Sequence, residues 1–158
     1  MSSIDIYGPL DFQNPILFDL DYTLIRPKSG YKFPRYAADF EFMPNVLNKL
    51  RNITQPIVII SNQGGTNKKL INARIKLVHE ELIKTCENTT ITIFVAHKYD
   101  KYRKPNTGIW DEYISSKCVK TPLYIGDALG RNGDFSNSDL LFAKNIGATI
   151  MSPEQYFE

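Results

Sequence analysis

Ile16-Leu17-Phe18-Asp19-Leu20-Asp21-Tyr22-Thr23-Leu24 sets a short apolar run directly before two carboxylates spaced two apart. A run of this length, with aliphatic and aromatic residues and no polar alternation, reads as a strand buried on both faces. The two acids then fall at its carboxyl end, on one side, where they repel each other. That arrangement costs stability unless a cation neutralises it, and a bound divalent metal would do so.

Four more runs of the same kind follow, at Ile57–Ile60, Ile91–Val95, Leu123–Ile125 and Thr149–Met151. Helical periods lie between them. Over residues 67–86, Ile71, Ile75, Val78 and Leu82 form one apolar stripe, with Lys76, Glu80 and Lys84 on other faces. A second helix is predicted to open at Pro44 and to bury Val46, Leu47 and Leu50. A third follows Pro105, with Asn106 or Thr107 as cap and Ile109, Trp110, Tyr113 and Ile114 inward. A fourth runs from Ser138, its cap, to Ile146 and is ended by Gly147. Strands alternating with helices predict an α/β protein: a three-layer, doubly wound fold with a mostly parallel central sheet, and one domain over residues 1–158.

Ligands of such sheets bind beyond the carboxyl ends of the strands. Ser61-Asn62-Gln63-Gly64-Gly65 follows the second run, a small polar turn offering a hydroxyl and backbone N–H groups to an anion. Tyr102-Arg103-Lys104-Pro105 delivers a lysine just before a helix, and Gly126-Asp127 adds a third acid. Three carboxylates, a hydroxyl and a lysine at one sheet end read as Mg²⁺-assisted phosphoryl transfer.

Composition narrows the classes. In 158 residues, 42% are hydrophobic and 23% charged, which suits one domain with a real core. The longest apolar runs, residues 15–18 and 56–60, are too short to cross a bilayer, so no membrane partner is expected. Met1-Ser2-Ser3-Ile4-Asp5 has neither a basic nor an apolar region of a secretory signal. Cys86 and Cys118 lack metal-knuckle spacing, so an intracellular, reducing setting is expected, cytoplasmic, nuclear or viral. His79 and His97 also lack ligand spacing and read as structural.

A net charge of +2 does not by itself indicate nucleic acid. Its distribution says more. Arg26, Lys28, Lys32 and Arg35, then Lys68 and Lys69, then Lys98, Lys101, Arg103 and Lys104 make ten of the 19 cations in three short segments. All three follow predicted strand ends, so they are expected to ring one opening as a funnel for a polyanion. Tyr31, Phe33, Tyr36, Tyr99 and Tyr102 lie among them, either to stack on bases or to seal the loops.

In strand order these residues resemble the four motifs of the haloacid dehalogenase (HAD) superfamily of phosphotransferases: Asp19 and Asp21 the first, Ser61 the second, Lys104 the third and Asp127 the fourth. Four stretches are similar, more narrowly, to the phosphatase domain of the polynucleotide kinase/phosphatase family. They are residues 102–110, residues 124–131, Asp134-Phe135-Ser136-Asn137-Ser138-Asp139, and Asn145-Ile146-Gly147 with Ser152-Pro153-Glu154. The likeness spans residues 18–157. It implies a HAD-like fold without a large cap domain and a 3′-phosphatase acting on DNA ends in strand-break repair; RNA and the oligomeric state are left open, a monomer being expected. Asp19 would be the nucleophile, forming an aspartyl-phosphate, and Asp21 the general acid and base. Mg²⁺ would be held by Asp19, Asp127 and the main-chain carbonyl of Asp21. Thr23, Ser61, Asn62, Lys104 and Arg131 would bind substrate, although Arg131 equally suits an ion pair with Asp134. Asp139 either orients Lys104 or only opens a helix.

Two departures stand out. Tyr22 occupies a position where the superfamily usually has glycine, which bears on the local backbone and on access to Asp21. No glycine is followed by lysine, so a Walker A loop is absent and no kinase domain is expected. The alternatives are a sugar- or histidinol-phosphate HAD phosphatase and a non-catalytic module that binds nucleic-acid ends. The former often carry a cysteine-rich zinc loop between the second and third motifs, where this chain has only Cys86. The latter would have no use for Asp21.

Overall fold

The computed structural model describes residues 3–158; Met1 and Ser2, which open the stretch read for a secretory signal, lie outside them. In chain order the strands are β1 (Ile4–Tyr7), β2 (Ile16–Phe18), β3 (Ile25–Arg26), β4 (Glu41–Phe42), β5 (Ile57–Asn62), β6 (Ile91–Ala96), β7 (Leu123–Ile125) and β8 (Thr149–Met151). The α-helices are α1 (Val46–Arg51), α2 (Lys68–Thr85), α3 (Ser138–Ile146) and α4 (Pro153–Tyr156). Six strands form one sheet in the order β1-β6-β5-β2-β7-β8, and β3 pairs with β4 in a small ribbon. All neighbours in the large sheet are parallel except β1, which runs antiparallel along β6.

Side-chain alternation builds the three layers. Ile16, Phe18, Ile57, Ile59, Ile93 and Val95 face Val46 and Leu50 of α1 and Ile75, Val78 and Leu82 of α2. Leu17, Val58, Ile60, Phe94 and Tyr124 face the other way, against Ile109, Ile114, Phe142 and Ala143. Burying each such side chain stabilises the fold by about 1.5–3 kcal/mol, which is why these strands carry no polar alternation. The chain leaves β2 towards β5 and β6, then returns to β7 on the other side. The direction reverses at β2, so the crevice beyond its carboxyl end is where this topology puts a ligand.

The five predicted strands are present, with β5 and β6 running on to Asn62 and Ala96. Three local expectations change. The first helix begins at Val46 and not at Pro44, because Asn45 takes a left-handed φ of 67°. Ser138 is the first helical residue of α3 and not its cap; its amide bonds to Ser136 Oγ (3.0 Å), while Gly147 closes the helix at φ 72°. After Pro105 the turn is π-helical over Trp110–Ile114, with the Thr107 hydroxyl donating to Asp111 (2.7 Å). β1, the β3–β4 ribbon and α4 were not anticipated. Between β2 and α1 the described residues hold only loop and ribbon, with no cap domain.

Candidate active site

Three strand carboxyl ends and the start of α3 meet at the reversal point. Asp19 follows β2, and its amide donates to Ile125 O of β7 (2.9 Å). Lys104 comes from the loop after β6, Asp127 from the loop after β7 and Asp139 from the first turn of α3. Lys104 Nζ donates to Asp19 Oδ1 (2.9 Å), Asp139 Oδ1 (3.1 Å), the Tyr124 hydroxyl (2.8 Å) and Ile60 O (2.6 Å). The Tyr124 hydroxyl donates in turn to Asp139 Oδ1 (2.5 Å), and the Ala128 amide reaches Asp139 Oδ2 (3.0 Å). Asp139 therefore both accepts from Lys104 and stands in a helix start. Gly126 makes room for it: a Cβ there would lie 2.6 Å from Asp139 Cγ.

Burial sets the electrostatics. It pushes the Asp19 carboxyl well above the usual carboxylate range, the charge of Asp139 pushes it further, and Lys104 only partly offsets this. Asp127 is raised too, first by burial and then by Asp139. For Lys104, burial works to lower the ammonium, but Asp139 and Asp19 overcome it and the net shift is upward. Burial, then Asp139, keeps Tyr124 a phenol far above its ordinary value. Asp19, Asp127 and Asp139 each offer an oxygen within 4.8 Å of the others. Three crowded carboxylates facing one lysine are a hard-oxygen donor set that fits a divalent cation. Asp139 carries the most protein bonds, from Lys104, Tyr124 and Ala128, against Lys104 and Thr23 on Asp19 and Thr23 on Asp127, which leaves Asp19 and Asp127 as the better-placed ligands.

The Asp21 side chain is not part of this cluster. Its Oδ1 accepts from Arg74 Nη2 (2.8 Å) and its Oδ2 from Gln63 Nε2 (2.8 Å). Gln63 Nε2 also donates to Ser61 Oγ (2.8 Å), and Ser61 is buried beneath it. Thr23 Oγ1 donates to Asp19 Oδ2 (3.1 Å) and Asp127 Oδ1 (3.3 Å). Asn62 brackets the Lys104 main chain, accepting from its amide (3.0 Å) and donating to its carbonyl (2.9 Å). Arg131 forks onto Asp134 (2.9 Å) and Glu154 (3.1 Å). All five residues read as substrate-binding thus have partners within the protein: Thr23, Asn62, Lys104 and Arg131 as donors, and Ser61 as the acceptor from Gln63. Tyr22 adopts the left-handed φ of 61° that explains glycine elsewhere, and its hydroxyl donates to the Lys32 carbonyl.

Sequence reading missed three participants: Arg74, Tyr124 and the amide of Gln63. Arg74 had a signal. It is the one cation within the Ile71–Val78 stripe, three residues after Ile71 and four before Val78, and it is 2% exposed.

A cleft of 790 Å³ opens over Asp19, Asp21, Lys104 and Asp127. Lys32, Phe33, Tyr99, Arg103 and Phe135 line it from three separate loops. Phe33, Tyr99 and Phe135 are 69%, 86% and 74% exposed, far more than core sealing would leave. The Arg103 guanidinium lies 4.0 Å from the Tyr99 ring centre. The cationic ring is narrower than the sequence suggested. Arg26 pairs with Glu41 (2.9 Å), Lys101 with Glu112 (3.4 Å), and Tyr102 also donates to Glu112. Tyr31 and Tyr36 are exposed but do not line the cleft.

The family model described as polynucleotide kinase 3 phosphatase matches residues 14–157. A bifunctional polynucleotide phosphatase/kinase from Schizosaccharomyces pombe is 39% identical over 155 residues, covering 90% of this chain but 37% of that protein. A polynucleotide 3′-phosphatase from Saccharomyces cerevisiae is 31% identical, covering 91% of this chain and 87% of its own length. Among solved structures, a HAD-like phosphatase from Mesorhizobium loti superposes with a TM-score of 0.70 at 20% identity, over 92% of this chain and 77% of that one, a likeness of fold.

Proposed function

The chain belongs to the polynucleotide kinase 3 phosphatase family and is a phosphatase of HAD-like fold, and from that premise we propose that it removes the 3′-phosphate from DNA ends inside the cell. The observation that carries this reading is the buried Asp19–Lys104–Asp139 cluster beside Asp127, at the floor of a cleft rimmed by cations and exposed rings.

In this reading a carboxylate oxygen of Asp19 attacks phosphorus in line. The new P–O bond forms as the bond to the 3′-oxygen breaks, leaving an aspartyl-phosphate. Asp21, oriented by Arg74 and Gln63, gives the leaving oxygen its proton. It then takes a proton from the water that hydrolyses the acyl phosphate. Lys104, Ser61 and the amides of the turn after β5 bind the phosphoryl oxygens. Asp139 and Tyr124 hold Lys104 against Asp19 while charge develops. Asp19, Asp127 and the Asp21 carbonyl would hold Mg²⁺, which when bound offsets the repulsion between carboxylate and phosphate.

Phe33, Tyr99 and Phe135, with Lys32 and Arg103, favour a polynucleotide over a sugar phosphate, because bases offer faces to stack and a strand offers flanking phosphates. These 158 residues contain no glycine followed by lysine, so no kinase step is assigned to them. Among the described residues no helix is long and apolar enough to cross a membrane.

The test compares a 3′-phosphorylated oligonucleotide, its 5′-phosphorylated isomer and a panel of sugar phosphates, each with Mg²⁺ and with EDTA. Strong, Mg²⁺-dependent preference for the 3′-phosphate is expected. Comparable turnover of sugar phosphates would establish the small-molecule alternative, and tight binding of ends without turnover the binding module.

A further inference from the structure

The loop of residues 28–38 contains no buried residue. It nevertheless supplies Lys32, Phe33 and Pro34 to the wall of the cleft. A segment that buries so little apolar surface, with only Pro34 and Ala37 half-buried, lacks much of the usual compensation for the entropy of ordering it. Its two arms converge on one carboxylate.

Asp39 is 0% exposed. Its Oδ1 accepts from the Ser29 amide (2.7 Å), and its Oδ2 accepts from the Ser29 hydroxyl (2.7 Å) and the Arg35 amide (2.8 Å). Its own amide donates to Tyr36 O (3.0 Å). Both arms of the loop are therefore fastened to one side chain. Burial works to raise the Asp39 carboxyl, but the bonds from Arg35 and Ser29 outweigh it and hold it below the ordinary range. A second fastening joins the tip to the site: the Tyr22 hydroxyl, one residue after Asp21, donates to the Lys32 carbonyl. Asp39 itself does not line the cleft.

We propose that Asp39 is a positioning residue for the polynucleotide: it fixes loop 28–38 so that Lys32 and Phe33 meet the strand flanking the scissile phosphate. The inference rests on the polynucleotide reading above. Contacts to flanking nucleotides are made alike in the ground and transition states, so this device sets KM and leaves kcat alone. Without it the loop must be ordered each time substrate binds, which weakens binding by preorganisation lost.

The experiment measures Asp39→Ala and Ser29→Ala against wild type, on a 3′-phosphorylated oligonucleotide and on p-nitrophenyl phosphate, with limited trypsin digestion alongside. For Asp39→Ala the oligonucleotide KM should rise roughly tenfold with kcat little changed. Turnover of p-nitrophenyl phosphate should be unaffected, and trypsin should cut sooner after Lys28, Lys32 or Arg35 while the rest of the chain resists. Ser29→Ala, which removes one of the three bonds, should raise KM by a smaller factor, and it carries the test if Asp39→Ala does not fold. An unchanged oligonucleotide KM in the folded variant overturns the proposal. So does a parallel loss on p-nitrophenyl phosphate, which would mean general damage. Wild-type turnover of the oligonucleotide with no Asp39 effect refutes this inference alone; absence of wild-type turnover refutes the reading beneath it.

Discussion

Replacing Lys104 by methionine removes the one cation inside a buried group of acids. The Lys104 and Asp139 side chains are each 2% exposed and sit 3.1 Å apart, with Asp19 at 2.9 Å on the other side. Breaking a buried pair by deleting one partner costs about 3–5 kcal/mol, because the remaining charge is left uncompensated. For a chain of this size each kcal/mol moves the midpoint by about 2–4 °C, so the metal-free Tm should fall by roughly 6–20 °C at neutral pH. The pH dependence has a definite sign. Burial and Asp139 already raise the Asp19 carboxyl, and losing Lys104 raises it further. An acid raised on folding destabilises increasingly as pH climbs from its unfolded pKa through its folded one. The deficit should therefore be largest at neutral pH and shrink on acidification. Lys104, itself raised, contributes fully below its ordinary pKa and adds no slope in this window, so the slope of wild type comes from the raised Asp19 and Asp127, and that of the variant should be steeper. Adding Asp139→Asn should recover part of the loss. Thermal unfolding by circular dichroism at neutral and acidic pH measures all of this. A loss below about 1 kcal/mol, the size of a surface pair, or one insensitive to pH would refute the reasoning.

Three further outcomes are expected. Asp21→Asn should cut oligonucleotide kcat by about 10²–10⁴-fold and p-nitrophenyl phosphate kcat by much less, since a good leaving group needs no acid; equal losses would leave Asp21 only an orienting role. Gly126→Ala drives a Cβ to 2.6 Å from Asp139 Cγ, so it should cost about 1–3 kcal/mol and lower kcat by displacing Asp139 from Lys104, as unfolding and steady-state assays would show. Because burial raises both Asp19 and Asp127, protons compete with a divalent cation there, and the Tm gain from added Mg²⁺ should grow from acidic to slightly alkaline pH; a gain that is flat or larger in acid would exclude these ligands.

The central strands were legible because burial on both faces imprints uninterrupted apolar runs such as Ile57–Ile60, and the acids after Phe18 and Ile125 mark where those runs end. β1 was not legible: it is a short antiparallel edge strand with Asp5 inside it, and edge strands need no apolar run. The turn of Asp21 towards Arg74 depends on how α2 is rotated against the sheet, which periodicity gives only as a face. Thr23 and Asn62 carry groups that suit a phosphate, but their partners, Asp127 and the Lys104 main chain, come from distant segments. The cationic segments looked like one funnel because Glu41 and Glu112, which neutralise Arg26 and Lys101, are near them only in space. Phe135 carried no signal until the exposed rings of the other two loops stood beside the same cleft.

The measurement closest to the centre of this account is acid-quench trapping with an oligonucleotide bearing a radiolabelled 3′-phosphate. The expected result is label on the wild-type protein during turnover, mapping to Asp19, with neither label nor phosphate release in Asp19→Asn. Turnover without labelled protein, or phosphate release retained by Asp19→Asn, would contradict it.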